Sequence, residues 1–248
     1  GGVLKPRGIL MLGTADTTDA LAKDIDAFEM EPISVEEACQ MMPLINPEVV
    51  TSAAYNSRAS DIDTHQLIQN FLRKARANGA DIHTNAHVHA INRTGSGWIV
   101  ETAQGTYDAK NLINAAGAWA DHVAEMAGIA RIGLTPYRRS MARIALPDGH
   151  DPSGWPMIFG PGENWYAKPD AGALIVSPAD ETPVQPHDAF AEDLTLAEGF
   201  ARYEAYVTMP VTRLLSSWAG LRTFAPDRAL VLGPDVQDDA FIWCAGQG

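Results

Sequence analysis

Asn111-Leu112-Ile113-Asn114-Ala115-Ala116-Gly117-Ala118-Trp119 is the stretch whose reading decides the fold. Its first part is a short apolar run and reads as a buried strand. Its second part is small residues around a glycine. A helix follows, with Trp119, Val123 and Met126 on one face and Gly128 past its end. Alanines and a glycine at a strand-to-helix turn leave the backbone bare. Either another group approaches that backbone, or strand and helix pack tightly against each other.

Working upstream, Asp63 caps a helix whose Leu67, Ile68, Phe71, Leu72 and Ala75 form one apolar face, and Gly79 ends it. The period then changes to two. Segments 82–85, 88–93, 98–102 and 106–108 read as strands, with turns at Gly95-Ser96-Gly97 and Gln104-Gly105. Nearer the start, 17–28 reads as a short helix, and Ser34-Val35-Glu36-Glu37 is a capping box opening another. Downstream of Pro136 the chain is rich in short strands: 141–146, 157–159, 165–168 and 173–177, then 218–223, 229–232 and 241–245. One helix, 193–207, interrupts them, with Leu196, Phe200, Tyr203 and Val207 inward. Strands and helices mix without strict alternation. That predicts an α/β fold of mixed (α+β) character rather than a simple doubly wound one.

The composition is globular and acidic, with a net charge of −13 over 248 residues. That charge argues against nucleic acid and anionic membrane surfaces as partners, since both require clustered Lys and Arg, and leaves a membrane-peripheral location open only if electrons pass to a quinone. No apolar run reaches the roughly 18 residues of a membrane span. Cys39 and Cys244 are far apart and have no metal-ligand spacing, so they read as buried thiols of a cytoplasmic, reducing compartment. His83, His87 and His89 lack acidic or thiol partners and read as surface residues rather than metal ligands. There is no GxGxxG, GxxxxGK[ST] or GxSxG; Gly160-Pro161-Gly162 is only a turn.

Three side chains carry candidate chemistry. Arg222 stands in an apolar strand, Trp218-Ala219-Gly220-Leu221-Arg222, where a guanidinium is costly without a partner. That partner is a ligand carboxylate or a protein one, Asp227 for instance. Arg138-Arg139 reads as a solvated pair at a strand start, or as a second cationic site. Tyr166 reads as a sheet-face aromatic.

Together these segments resemble the FAD-dependent glycine/D-amino-acid oxidase family, and within it the bacterial D-arginine dehydrogenases. The likeness is carried by Ser60-Asp61-Ile62-Asp63-Thr64, 112–119, Pro136-Tyr137-Arg138-Arg139-Ser140 and Trp155-Pro156-Met157. It continues through Tyr166-Ala167-Lys168-Pro169-Asp170-Ala171-Gly172, 218–222 and Ala245-Gly246-Gln247-Gly248. The resemblance implies FAD as cofactor and oxidation of the CH–NH bond of a D-amino acid or related secondary amine by hydride transfer to flavin. A 2-hydroxy acid is the alternative substrate on the same scaffold, and a flavin-free, non-catalytic fragment the alternative in kind.

It implies that 1–58 and 136–217 belong to a substrate domain, and that 59–135 and 218–248 are portions of an FAD-binding domain. Val88, Ala115, Gly117, Trp119, Gln247 and Gly248 match cofactor-binding positions. Arg222 matches the arginine that takes the substrate carboxylate, Tyr166 the tyrosine that assists it, Arg139 a second active-site arginine, and Gly220 a carbonyl that holds the amine. Met157, Phe159 and Ile9 match positions lining the substrate side chain. Ile9 stands where the D-arginine enzyme has a glutamate for its cationic substrate, so an apolar or neutral side chain is expected. The chain reads as the middle of a longer enzyme, without the phosphate-binding glycine motif.

Overall fold

The computed structural model describes residues 2–147 and 149–248. Elements are numbered in chain order. The chain divides into two compact units: Gly1–Phe71, Arg139–Asp180 and Ala189–Gly220 form the first, and Leu72–Arg138, Glu181–Asp188 and Leu221–Gly248 the second.

In the first unit, β1 (Leu4–Pro6) and β5 (Ser60–Ile62) make a two-stranded ribbon. The main sheet is centred on β2 (Ile9–Gly13), which is parallel to β11 (Met157–Phe159) and antiparallel to β4 (Ser52–Asn56). β3 (Glu31–Ile33) lies beyond β4, and β12 (Tyr166–Asp170), β13 (Ala173–Ser177) and β10 (Thr135–Ile144) follow beyond β11. Side chains alternate between faces along a strand, and residues paired across strands share a face. Leu10, Leu12, Ile158, Ala167, Leu174, Val176 and Ile144 therefore point one way. They form the main core with Ala38 of α2 (Val35–Met41) and Tyr203 of α5 (Asp193–Glu204). Ile9, Met11, Phe159 and Tyr166 point the other way, into a smaller cluster with Leu21 and Ile25 of α1 (Thr18–Ala27) and with Phe28. A central strand covered on both faces is a continuous apolar run, as Ile9-Leu10-Met11-Leu12 is.

The second unit contains the meander β6 (Val88–Arg93), β7 (Trp98–Thr102) and β8 (Gly105–Ala109). It also contains β9 (Leu112–Asn114), which is parallel to β17 (Phe241–Ala245); β17 is antiparallel to β16 (Val231–Pro234). Trp98, Phe241 and Trp243 pack with Ala120 and Ala124 of α4 (Ala120–Met126), and the Trp98 indole donates to the Ala240 carbonyl at 3.0 Å. β14 (Thr182–Pro183) pairs with Tyr137 and Arg138 at the start of β10. β15 (Leu214–Phe224) pairs with β10, and α3 (Thr64–Ala77) runs from Asp63.

The capping box at Ser34 forms: its hydroxyl accepts from the Glu37 amide at 3.2 Å, and its own amide donates to the Glu37 carboxylate at 2.9 Å. Asp63 caps α3 through the Gln66 amide at 2.8 Å. Other expectations need correction. Residues 82–85 form no strand; Asn85 adopts φ +57°, a left-handed turn that asparagine tolerates and an extended run does not. The expected helix α3 with its apolar face is present, but that face is not covered: none of its residues is buried and Phe71 is 66% exposed. Periodicity fixes which side of a helix is apolar, not whether anything covers it. Trp119 is likewise exposed, and Cys39 and Cys244 are half-buried rather than buried. Arg138 and Arg139 are not a solvated pair: β10 begins at Thr135, earlier than expected, so both lie within the strand and are buried.

Candidate active site

The register of the first unit's sheet gathers four of the residues singled out from sequence. Ile9 pairs with Met157, Met11 with Phe159, and Phe159 with Tyr166, so Ile9, Met157, Phe159 and Tyr166 share one face. They line a recess of about 160 Å³, completed by Phe28, Glu163 and Trp165. The Phe28 and Phe159 rings meet edge to face at 5.4 Å. Among the described residues the hydrogen-bond partner of the Tyr166 hydroxyl is the Met141 thioether, at 3.8 Å, which is a weak acceptor. It is therefore available to a stronger one.

Arg139 belongs to the same face. Arg143 pairs with Ile175, Ile175 with Lys168, and Lys168 is two residues along from Tyr166; Arg139 stands four residues before Arg143. Its Nε donates to the Asp180 carbonyl at 3.0 Å, while the Asp180 carboxylate accepts from the Ser140 amide at 2.6 Å and the Ser140 hydroxyl at 2.9 Å. Arg139 as a residue is only 7% exposed, and its guanidinium is oriented by the segment after β13. On the same face Lys168 reaches Asp61 at 3.3 Å, and Arg7 holds that carboxylate at 2.7 Å. Burial alone would raise the Asp61 pKa. The Arg7 hydrogen bond and the Lys168 charge outweigh it and hold the group below the usual aspartate range.

In the second unit, β9 and β17 are parallel and in register, Trp243 opposite Asn114, so their carboxyl ends lie on one edge of the sheet. Ala115, Gly117 and Trp119 leave that edge from β9, and Gln247 and Gly248 leave it from β17. Two cofactor segments distant in sequence are thereby brought to one place, at the strand ends where parallel sheets bind ligands. Gly117 has φ +55° and nothing within 4 Å of where a side chain would start. Gly246 is also left-handed, at φ +78°. The buried Asn114 amide shapes the turn, donating to the Ala120 carbonyl at 2.8 Å and accepting from the Ala116 amide at 3.3 Å. This bare, open backbone fits the close approach of a flat cofactor; no GxGxxG is present here to grip its phosphates. Val88 starts the meander, opposite Thr102, and no strand pairing joins it to the β9–β17 edge.

Gly220 and Arg222 stand on β15. Gly220 is exposed with open space beside it, and Arg222 is half-buried. Among the described residues no hydrogen bond or ion pair engages the Arg222 guanidinium. Asp227, the protein partner considered for it, instead accepts from the Ala229 amide at 3.0 Å. Arg228 forms the ion pair of this region, with Glu181 at 2.7 Å, and lies over the Phe224 ring at 4.5 Å. Sequence reading missed Phe28, Glu163 and Trp165 as lining residues. Phe28 and Glu163 follow a helix end and a glycine turn, where no periodicity points inward. Trp165 gave no signal, since its neighbour Tyr166 faces the recess and its own side chain turns into the main core.

Comparison with known proteins fits this geometry. The chain is 28% identical over 189 residues to the hydrogen cyanide synthase subunit HcnC of Pseudomonas aeruginosa, covering 75% of this chain and 44% of that one. It is 36% identical over 104 residues to human mitochondrial dimethylglycine dehydrogenase, covering 42% of this chain and 12% of that protein. It thus spans less than half the length of either relative. Its fold is similar to that of glycine oxidase from Geobacillus kaustophilus, with a TM-score of 0.82 at 21% identity over 98% of this chain and 66% of that one. Residues 2–248 match the family of FAD dependent oxidoreductases, DAO, and the chain belongs to that family.

Proposed function

We propose that the protein oxidises the C–N bond of an amino acid or a related secondary amine, a D-amino acid or an N-methylated one among them, with FAD as cofactor. The observation that carries this reading is Arg222: a half-buried guanidinium in an apolar strand, with no carboxylate of the described chain engaged to it. Such a group is stabilised by a planar anion, and a substrate carboxylate supplies one with matching fork geometry. By the family resemblance, Tyr166 matches the tyrosine that assists carboxylate binding, Arg139 a second active-site arginine, and Gly220 the carbonyl that accepts from the amine. Ile9, Met157 and Phe159 enclose the side chain and keep water from it. Ala115, Gly117, Trp119, Gln247 and Gly248 would hold the cofactor, with Val88 contributing from the meander. FAD supplies the hydride-accepting chemistry; these residues hold the reacting carbon in a single orientation toward it. Names among the relatives, dimethylglycine dehydrogenase and sarcosine oxidase subunit beta, support an amine rather than a hydroxy acid.

The test is Arg222→Met against Arg222→Lys in the flavin-loaded protein. Removing one partner of a buried charge-assisted pair costs about 2–5 kcal/mol. For Arg222→Met, kcat/KM on a carboxylate-bearing amine should fall by roughly a hundredfold or more, with partial recovery in the lysine variant. Unchanged kinetics in both variants would remove the carboxylate anchor. Faster turnover of 2-hydroxy acids than of any amine would replace the amine reading.

A further inference from the structure

We infer that the recess of the first unit recognises a positively charged side chain, with Glu163 as the residue that determines this specificity. The inference rests on the reading above and adds to it the class of substrate.

Three observations carry it. First, the recess is partly aromatic: the side chains of Phe28, Phe159 and Tyr166 line it beside Met157 and Ile9, while the Trp165 ring turns into the main core against Tyr203 and Tyr206. Aromatic faces carry negative quadrupole charge and attract cations as well as apolar chains. Second, Glu163 is the one lining residue that is both exposed and charged, so it stands where the recess opens to solvent. Among the described residues its carboxylate has neither hydrogen bond nor ion pair. Arg202, which reaches the adjacent Asn164, is committed to the carbonyls of Asn164 and Pro178. Third, Glu163 is held there against its own preference. It has φ +51° directly after Gly162 at φ +72°, and a left-handed non-glycine residue costs about 1–2 kcal/mol. The turn is pinned by the Gly162 amide on the Asp24 carboxylate at 2.6 Å and by the Glu163 amide on the Gly160 carbonyl at 3.2 Å. Asp24 thereby brings a second carboxylate to the same turn. An apolar stem lying along the aromatic wall with an ammonium or guanidinium at its end matches this order of surfaces. Ile9 is apolar, so the carboxylate for such a substrate comes from a different element than the one sequence comparison points to.

Binding and turnover test this separately. Titration of n-butylammonium and of 1-butanol, followed by tryptophan fluorescence, reads the recess without any reaction. The cation should bind about five- to tenfold more tightly than the alcohol, the combined size of an exposed ion pair and a cation–π contact. Glu163→Gln should abolish that difference while leaving 1-butanol unchanged, and Glu163→Gly, which suits the left-handed backbone, should do the same without loss of stability. In the flavin-loaded protein, lysine should exceed norleucine in kcat/KM, and Glu163→Gln should bring the two together. Equal binding of cation and alcohol, or a preference that survives Glu163→Gln, overturns the inference. Efficient oxidation of norleucine alone overturns it and leaves the amine reading standing. Oxidation of no amino acid, with the cation preference intact, overturns the amine reading instead.

Discussion

The two units treat their central apolar strands differently. β2 in the first unit is buried on both faces, Leu10 and Leu12 against the main core and Met11 against α1. In the second unit, β9, β17 and β16 bury one face only. Leu112, Phe241, Trp243 and Ala245 pack inward, while Ile113 and Leu232 on the opposite face are each 62% exposed. Both Ile9-Leu10-Met11-Leu12 and Leu112-Ile113 read as continuous apolar runs, the signature of a strand covered on both sides. In one case the chain itself provides both covering layers, and in the other only one. The same local pattern thus corresponds to a closed core in one unit and an open apolar face in the other, and the closed one is where the recess is found.

The largest effect that could break this contrast is a truncation on each strand. Leu12→Ala should destabilise by about 2–5 kcal/mol, through lost burial and a residual cavity. Ile113→Ala should cost less than about 1 kcal/mol, since most of its surface is already in water. Denaturant unfolding of both variants measures this. A comparable loss at Ile113 would mean that its face is covered in solution.

A smaller effect sharpens the contrast at the edge of the open sheet. Asn114 is buried and holds both sides of the turn, so Asn114→Ala leaves the Ala120 carbonyl and the Ala116 amide without their partner. The expected cost is about 1–3 kcal/mol. Gly117→Ala meets no steric obstacle but forces alanine to φ +55°, for about 1 kcal/mol. Flavin retention is the more telling readout for Gly117→Ala, because a methyl group there occupies the space a cofactor would need. Loss of stability without loss of flavin absorbance would assign the glycine to the turn alone.

Much of this was legible in the sequence, and the reasons differ by residue. Ser34 and Asp63 were readable as caps because capping is local chemistry between neighbours. The strands around Tyr166 and Trp98 were readable from alternation and the turns that bound them. Ile9, Met157, Phe159 and Tyr166 were each picked out by resemblance, but that they share one face is a property of register, which lies between strands rather than along one. Burial was the least legible quantity. Phe71 and Trp119 have apolar periodicity and no cover, whereas Arg138 and Arg139 are charged and covered. Glu163 gave no signal at all, for its position follows from a pinned left-handed turn.

The smallest effect concerns charge and separates the two units once more. Asp61 in the first is held by Arg7, whose side chain is 9% exposed, and by Lys168; Asp238 in the second is paired with Arg93, whose side chain is 39% exposed. For Asp238 the Arg93 hydrogen bond is the largest cause and lowers the pKa against a smaller opposition from burial; for Asp61 burial is the largest single cause, opposes the lowering, and is outweighed by the two cations together. A carboxylate whose folded pKa lies below its unfolded value of about 3.9 gives stability that is complete well above that value and is lost as pH falls through the folded pKa. Both aspartates should therefore contribute to an acid limb below roughly pH 4, and Asp61→Asn and Asp238→Asn should each flatten it. Salt distinguishes them. At 1 M ionic strength the screening length is about 3 Å, which weakens exposed pairs far more than covered ones. Raising the salt should shrink the Asp238 contribution to the limb and leave most of the Asp61 contribution. Equal screening of the two would place Asp61 in water, and with it the cationic edge of the sheet face that carries the recess.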